Sequence, residues 1–347
     1  MIIPEGGRLK LDPKDEHQHV PEAAANYNES VYLDVFDTGQ KIGAWVRIGN
    51  RPHEGHAEVS VCVYLPDGRV AFWFCRPKIT SNLMLAAGGL SVEVVEPFRR
   101  LLISYFGETI LLDDPQLLRN PREVFKSQPR TMARISLDVA GISPMAGGEI
   151  VNPDGSSFAL DPAKCAYRGH FEQHVRAVGA IEVGEESFQV SGYGYRDKSW
   201  GPRHWQNLHW HKWMPVTFGR DFGLMVMLQG RPGTSPLSTG HIFKNGVLHK
   251  LHSANVEVTY DQAFQQTGVE ARLVSELGEL MLTGEVLSAT PLRHVKAEPD
   301  GSEATVRIVK AMTRFGCEGR SAFGMSEFLD VMIGDQPISM TRGERLP

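Results

Sequence analysis

The chain is short of cysteine. Its 347 residues hold only four, Cys62, Cys75, Cys165 and Cys317, and no two have Cys-x-x-Cys spacing. That argues against a zinc knuckle or a thioredoxin-like redox motif. Cys62 and Cys75 fall in neighbouring strand-like runs, and reduced core thiols are the reading preferred over a disulfide. No apolar run approaches the roughly 20 residues that a membrane-spanning helix needs. The first residues, Met1-Ile-Ile-Pro-Glu-Gly-Gly-Arg, lack the basic and then apolar order of a secretory leader, so a cytoplasmic location is the expectation. Positive charge is not in excess. The net charge is −5, which disfavours nucleic acid or an anionic membrane as the main partner. Pairs such as Arg99-Arg100 read as solvated surface.

Familiar catalytic templates are missing too. There is no Gly-x-Ser-x-Gly elbow, no phosphate-binding loop and no Gly-x-Gly-x-x-Gly after a first strand. Ala86-Ala87-Gly88-Gly89 lacks a βαβ context. Nucleotide, nicotinamide and covalent serine mechanisms are set aside on these grounds, and no cofactor is called for. Long helical periodicity is nearly absent as well.

What remains is a chain of short strands. Gly (35) and Pro (21) are spread evenly, as many strands joined by turns require. Val31–Phe36, Gly43–Ile48, His56–Leu65 and Arg69–Cys75 read as strands, with Pro66-Asp67-Gly68 as a hairpin turn. Leu90–Val95 and Arg100–Phe106 form a further pair. A short helix is expected over Asp114–Lys126 with Pro115 near its start, then a long loop over Ala140–Ala159. The rhythm restarts at Gly169 and runs to Val331, with Lys244-Asn245-Gly246-Val247 as a two-residue hairpin and another turn at Leu277-Gly278. The length exceeds the usual single domain. The reading is therefore all-β, two consecutive antiparallel β-barrels with few short helices, over residues 1–165 and 166–347. Closed barrels remove sheet edges and can hold one small ligand.

The chemistry concentrates in Gly192–Trp213. This stretch holds four of the six tryptophans and three of the thirteen histidines. If Gly192–Asp197 is extended, Tyr193, Tyr195 and Asp197 share one face and Gly192, Gly194 and Arg196 the other. Tyr195 and Asp197 would then look into a cavity, and Gly201-Pro202 would bend the chain. An acid held among aromatics suits a general acid. Asp197 could equally pair with Arg196, Lys198 or Arg203 and fix the turn. Trp200, Trp205 and Trp210 could be core. His209-Trp210-His211 puts two histidines on one strand face. That arrangement can relay protons, or bind a metal given a third ligand such as His170 or His241, though no metal is assigned. Upstream, Phe171-Glu172-Gln173-His174 places polar groups inside a β-like run. Glu172 marks a ligand site there, or pairs with Arg176 or Arg196.

Tyr195-Arg-Asp197-Lys-Ser-Trp200-Gly201 resembles the Tyr-x-Asp-x-Asn-Trp-Gly signature of carotenoid 1,2-hydratases and the wider AttH-like, hydroxyneurosporene-synthase-like superfamily. The longer run through Arg203 and Trp205, with the upstream Phe-Glu-Gln, is similar to a bacterial branch of that group. The resemblance implies two lipocalin-like barrels, apolar and often isoprenoid substrates, and cofactor-free acid chemistry on a carbon–carbon double bond. It implies Asp197 as proton donor, with Tyr195 and Trp200 as motif partners. Ser199 stands where the signature has Asn, and Lys198 where relatives often have His. The expectation is an enzyme of the hydro-lyase, isomerase or cyclase kind, with its site near the domain boundary. Asp197, Tyr195, His209 and His211 would act in catalysis. Trp200, Trp205, Trp210, Tyr193, Glu172 and Arg203 would bind substrate. A lipocalin-like carrier of hydrophobic small molecules is the alternative.

Overall fold

The computed structural model describes residues 6–162, 165–204, 208–231, 235–297 and 303–340. The chain divides into two units. One comprises Met1–Val63, Ala71–Leu111 and Arg130–Trp205; the other comprises Tyr64–Val70, Leu112–Pro129 and Gln206–Pro347.

In the first, eight strands close on themselves. They are β1 (Tyr27–Asp37), β2 (Ile42–Arg51), β3 (His56–Tyr64), β4 (Val70–Cys75), β5 (Arg100–Leu112), β6 (Arg130–Gly141), β7 (Gly169–Val183) and β8 (Glu186–Pro202). The ladder runs β7-β8-β1-β2-β3-β4-β5, and β6 bonds to both β5 and β7. Alternation decides which face is inside. Leu101 and Ile103 lie opposite Val139 and Leu137, which continue to Ala177 and Gly179. Val31 and Leu33 lie opposite Ile48 and Val46. The leucines, isoleucines and valines among these are buried, each full burial contributing about 1.5–3 kcal/mol. The intervening Arg100, Ser104, Phe106 and Arg134 are exposed on the outer face.

The second unit is a meander. Its strands are β9 (Trp210–Thr217), β10 (Phe222–Gly230), β11 (Leu237–Lys244), β12 (Val247–Tyr260), β13 (Gln266–Ser275), β14 (Gly278–Ala297), β15 (Glu303–Cys317) and β16 (Arg320–Ile333). Each bonds to the next and β9 bonds to β16, closing another ring of eight. Trp210, Met214, Leu224, Val226, Leu273, Leu282 and Phe315 belong to its core. The all-β, two-barrel reading therefore holds.

The turns formed where the sequence put them. Gly68 takes φ 94° and Leu65 N–H donates to Arg69 O at 2.9 Å. Asn245 and Gly246, at φ 50° and 87°, make the left-handed pair a type I′ hairpin needs. The helical interval divides into a 3₁₀ turn, Pro115–Arg119, and a helix, Pro121–Ser127. Pro121 has no N–H to continue the first.

Two expectations are corrected. The loop over 140–159 contains a strand, Ala146–Val151, paired with β7. Gly147 permits it: a Cβ there would stand 2.2 Å from His170 O. The division at 165/166 also differs from the observed units. β8 hydrogen-bonds to β1, Asp197 opposite Tyr32 and Ser199 opposite Ser30, which carries residues 169–202 into the first ring. All four cysteines are free. No helix among the described residues is long and apolar enough to cross a membrane.

Candidate active site

Strand β8 carries the motif, and its two faces do different work. Gly192 and Gly194 let it lie close to β1, since a Cβ at Gly194 would stand 1.9 Å from Asp34 O. The strand continues through Pro202, so Gly201-Pro202 does not end it; Gly201 absorbs the strain at φ 110°.

The inward face presents Arg196, Lys198 and Trp200. Arg196 donates to both Glu16 carboxylate oxygens at 2.7 and 2.9 Å and to Gln173 Oε1. Lys198 Nζ donates to the backbone oxygens of Asp15 (2.8 Å) and His17 (2.6 Å) and to Glu29 Oε1 (2.8 Å). Trp200 stacks on His19 with ring centroids 4.3 Å apart. Burial would raise the Glu29 carboxyl, but the His19 hydrogen bond and the Lys198 charge outweigh it and hold it at about 2. This face ties the segment from Asp12 to His19 to the ring. Lys198 therefore points away from Asp197.

The outward face presents Tyr193, Tyr195, Asp197 and Ser199. Across neighbouring strands, one row reads Glu172, Asp197, Tyr32 and Arg47. Asp197 is half-buried, while Glu172 and Tyr32 are only 6% and 4% exposed. Tyr195 O–H donates to Glu172 Oε2 at 3.4 Å, and its backbone N–H donates to Asp34 Oδ1 at 2.7 Å. Burial, then the charges of Glu172 and Asp197, push the Tyr195 phenol well above its ordinary range, so it stays a neutral donor. The His174 ring meets it edge-on at 4.7 Å. Arg203 Nη1 donates to Ser199 Oγ at 2.5 Å, and Ser199 pairs with Ser30 Oγ at 3.1 Å. Burial and then the Arg47 charge push Arg203 down to about 10. Burial, then Arg203, push His170 down to about 3, leaving a neutral imidazole 4.0 Å from Glu172. Arg47 also reaches Glu58 at 3.4 Å. One patch thus combines two carboxylates, phenols and guanidinium groups, the means to move a proton and steady a charge.

The expected site residues are distributed over both faces of β8 and over both units. Tyr193, Tyr195 and Asp197 do share a face, but it is the outer face of the ring rather than the barrel interior. Trp200 lies on the opposite face. His209, Trp210 and His211 belong to the second unit. There Trp210 is 0% exposed in the core, His211 Nε2 lies 2.9 Å from Glu327 Oε1, and His209 N–H donates to Gly230 O. Trp205 lies outside the described residues. Glu172 and Arg203 join Asp197, whereas Arg196, offered as a partner for Glu172 or Asp197, is taken by Glu16 and Gln173. Among the described residues, no group of three or more His, Cys, Asp or Glu could hold a metal. Tyr32, Asp34 and Arg47 were not singled out as site residues, and His170 was offered only as a third metal ligand. The signal for the first two was present: Asn28, Ser30, Tyr32 and Asp34 alternate with Val31, Leu33 and Val35.

Residues 12–332 match the profile of a family described as a domain of unknown function, DUF7064. The chain belongs to that family. No curated protein matches this DUF7064 chain. Solved structures do. An AttH candidate from Nitrosomonas europaea aligns over 95% of this chain and 98% of its own, at 11% identity and a TM-score of 0.53. Kievitone hydratase from Nectria haematococca covers 91% of each chain at 8% identity, with a TM-score of 0.55. CghA in complex with Sch210972 covers 95% and 99% at 9% identity, with a TM-score of 0.50. The DUF7064 chain thus shares the fold of these solved structures, one of which is a hydratase by name.

Proposed function

We propose that this protein catalyses a cofactor-independent, acid-initiated transformation of a hydrophobic, isoprenoid- or terpenoid-like alkene. The supporting observation is the outward row Glu172–Asp197–Tyr32–Arg47, with the neutral Tyr195 phenol beside it. In this reading Asp197 gives its proton to one alkene carbon. The π electrons form the new C–H bond, leaving a carbocation on the other carbon and a carboxylate on Asp197. Water adding to the cation, with its proton passing to Glu172, gives hydration. Loss of a neighbouring proton to Glu172 gives isomerisation, and attack by a second alkene, followed by loss of a proton from the cyclic cation to Glu172, gives cyclisation. Tyr32, Tyr195 and Trp45, which lies opposite Asp34 on β2 with its ring 6.3 Å from that of Tyr32, offer aromatic faces to the cation, and Tyr193 and Arg203 border the substrate. Trp200 and Trp210 are structural in this scheme, and His209 and His211 take no step.

The test uses deuterium. The full chain is incubated in D₂O with farnesol, geranylgeraniol and any co-purified lipid, and products are read by mass spectrometry. Deuterium at carbon in a product is expected, with Asp197→Asn about 10²–10⁴-fold slower. A ligand that binds and returns unlabelled identifies a carrier and overturns the proposal. So does full turnover by Asp197→Asn.

A further inference from the structure

The outer face of the first ring continues past Asp197 to a patch that proton transfer does not use. Along β1 the outward positions are Asn28, Ser30, Tyr32 and Asp34. Gly201 lies opposite Asn28 on β8, and Gly49 lies opposite Ser30 on β2, next outward position to Arg47. Gly49 is therefore an outward position with no side chain. A Cβ there would stand 2.9 Å from Arg47 Nη2 and 3.1 Å from Asn28 Nδ2. Two nitrogen donors from neighbouring strands converge over one glycine.

Asn28 supplies a second, independent observation. It is 1% exposed, and neither its Nδ2 nor its Oδ1 has a hydrogen-bond partner among the described residues. Buried amides are ordinarily paired, and a specific exception asks for an explanation. The donor chemistry of the neighbourhood narrows the partner. Arg47 and Arg51 both lower the pKa of Arg203 through space, so three guanidinium groups stand near one another. Glu58 engages Arg47 and Arg51 at 3.4 and 3.5 Å, and Asp197 acts on Arg203 from the motif strand. Glu54 also pairs with Arg51 at 2.6 Å, so three acids face the three guanidinium groups, and it is Arg47 that turns its Nη2 towards Gly49. Guanidinium and amide N–H groups together suit a carboxylate.

We infer that Gly49, Asn28 and Arg47 form a subsite for a carboxylate oxygen of the substrate, placing an acid headgroup two register steps along β1 from the Asp197 row. This rests on the reading that the outer face binds a hydrophobic substrate, and deepens it by naming an acid. Gly49 is glycine because a methyl group would displace the donors.

Calorimetric titration of the full chain with farnesoic acid and with farnesol tests it. The acid should bind at least about 10-fold more tightly, the share of a charge-assisted hydrogen bond. Gly49→Ala should erase that preference while leaving farnesol binding within about 3-fold. Its methyl meets only the ends of flexible side chains, so thermal melting should report an intact fold. Asn28→Leu should erase the preference as well. Asp197→Asn should keep it, even with turnover lost. Equal affinities for acid and alcohol, no binding of either, or a preference surviving both Gly49→Ala and Asn28→Leu would each overturn the subsite. If Asp197→Asn keeps turnover while Gly49→Ala loses the acid preference, the proton-donor role falls and the subsite stands.

Discussion

Replacing Asn28 with leucine should make the protein more stable. The two side chains have the same branched shape, so the substitution needs little repacking. Asn28 is 1% exposed, and both ends of its amide lack partners among the described residues. An unsatisfied buried polar group costs about 1–3 kcal/mol, and Leu removes that cost while adding apolar burial. For a domain of roughly 150–250 residues, each kcal/mol moves Tm by about 2–4 °C. The expected shift is therefore upward by about 2–12 °C. Differential scanning calorimetry of wild type and Asn28→Leu measures it. Ser30→Ala is a control of opposite sign: Ser30 Oγ is bonded to Ser199 Oγ at 3.1 Å, and losing that bond should cost about 1 kcal/mol. A Tm that falls in Asn28→Leu would mean the amide is satisfied in solution, and the reasoning would fail. A rise together with lost acid binding would be a stability cost kept for function.

Two further outcomes follow from the inward face and the strand contact beneath the site. The Glu29 carboxyl lies near 2 in the folded chain against 4.5 ordinarily, so its contribution is fully present above pH 4.5 and is lost as pH falls towards 2. That contribution is roughly 3 kcal/mol. Urea midpoints between pH 6 and pH 3 should fall for wild type and fall less for Glu29→Gln; parallel pH dependences would contradict the Lys198–Glu29–His19 cluster. Gly194→Ala should destabilise by about 3 kcal/mol, because its methyl would stand 1.9 Å from Asp34 O and push β8 off β1. An unchanged denaturation midpoint would refute that close approach.

Turn chemistry was readable because it is local. Pro66-Asp67-Gly68 and Asn245-Gly246 need left-handed backbone that few residues supply, and both formed as hairpins. Which strands close each ring was not readable. Nothing local in Tyr27–Asp37 says that its partner is Glu186–Pro202. The motif had the same split. Alternation placed Tyr193, Tyr195 and Asp197 together, since period two is a property of the strand itself. It did not say which side was inward. Arg196 and Lys198 look like outward residues until Glu16, Glu29 and the carbonyls of Asp15 and His17 supply interior partners. His209, Trp210 and His211 lie past the point between Trp205 and Gln206 where the chain enters the second unit, a boundary that no local pattern announces.

The pairing of β8 with β1 also sets an order of events during synthesis. Strands β1 to β3 leave the ribosome early, but the edge of β1 stays unpaired until Glu186–Pro202 has been made. An open edge recruits foreign strands, and a contact so distant in sequence forms late. The Asp12–His19 segment waits equally long for Arg196 and Lys198. A nascent chain stalled ahead of the motif would thus carry an adhesive β1 edge and an untethered N-terminal arm. The strand that bears Asp197 is also the stave that makes the first barrel safe to release.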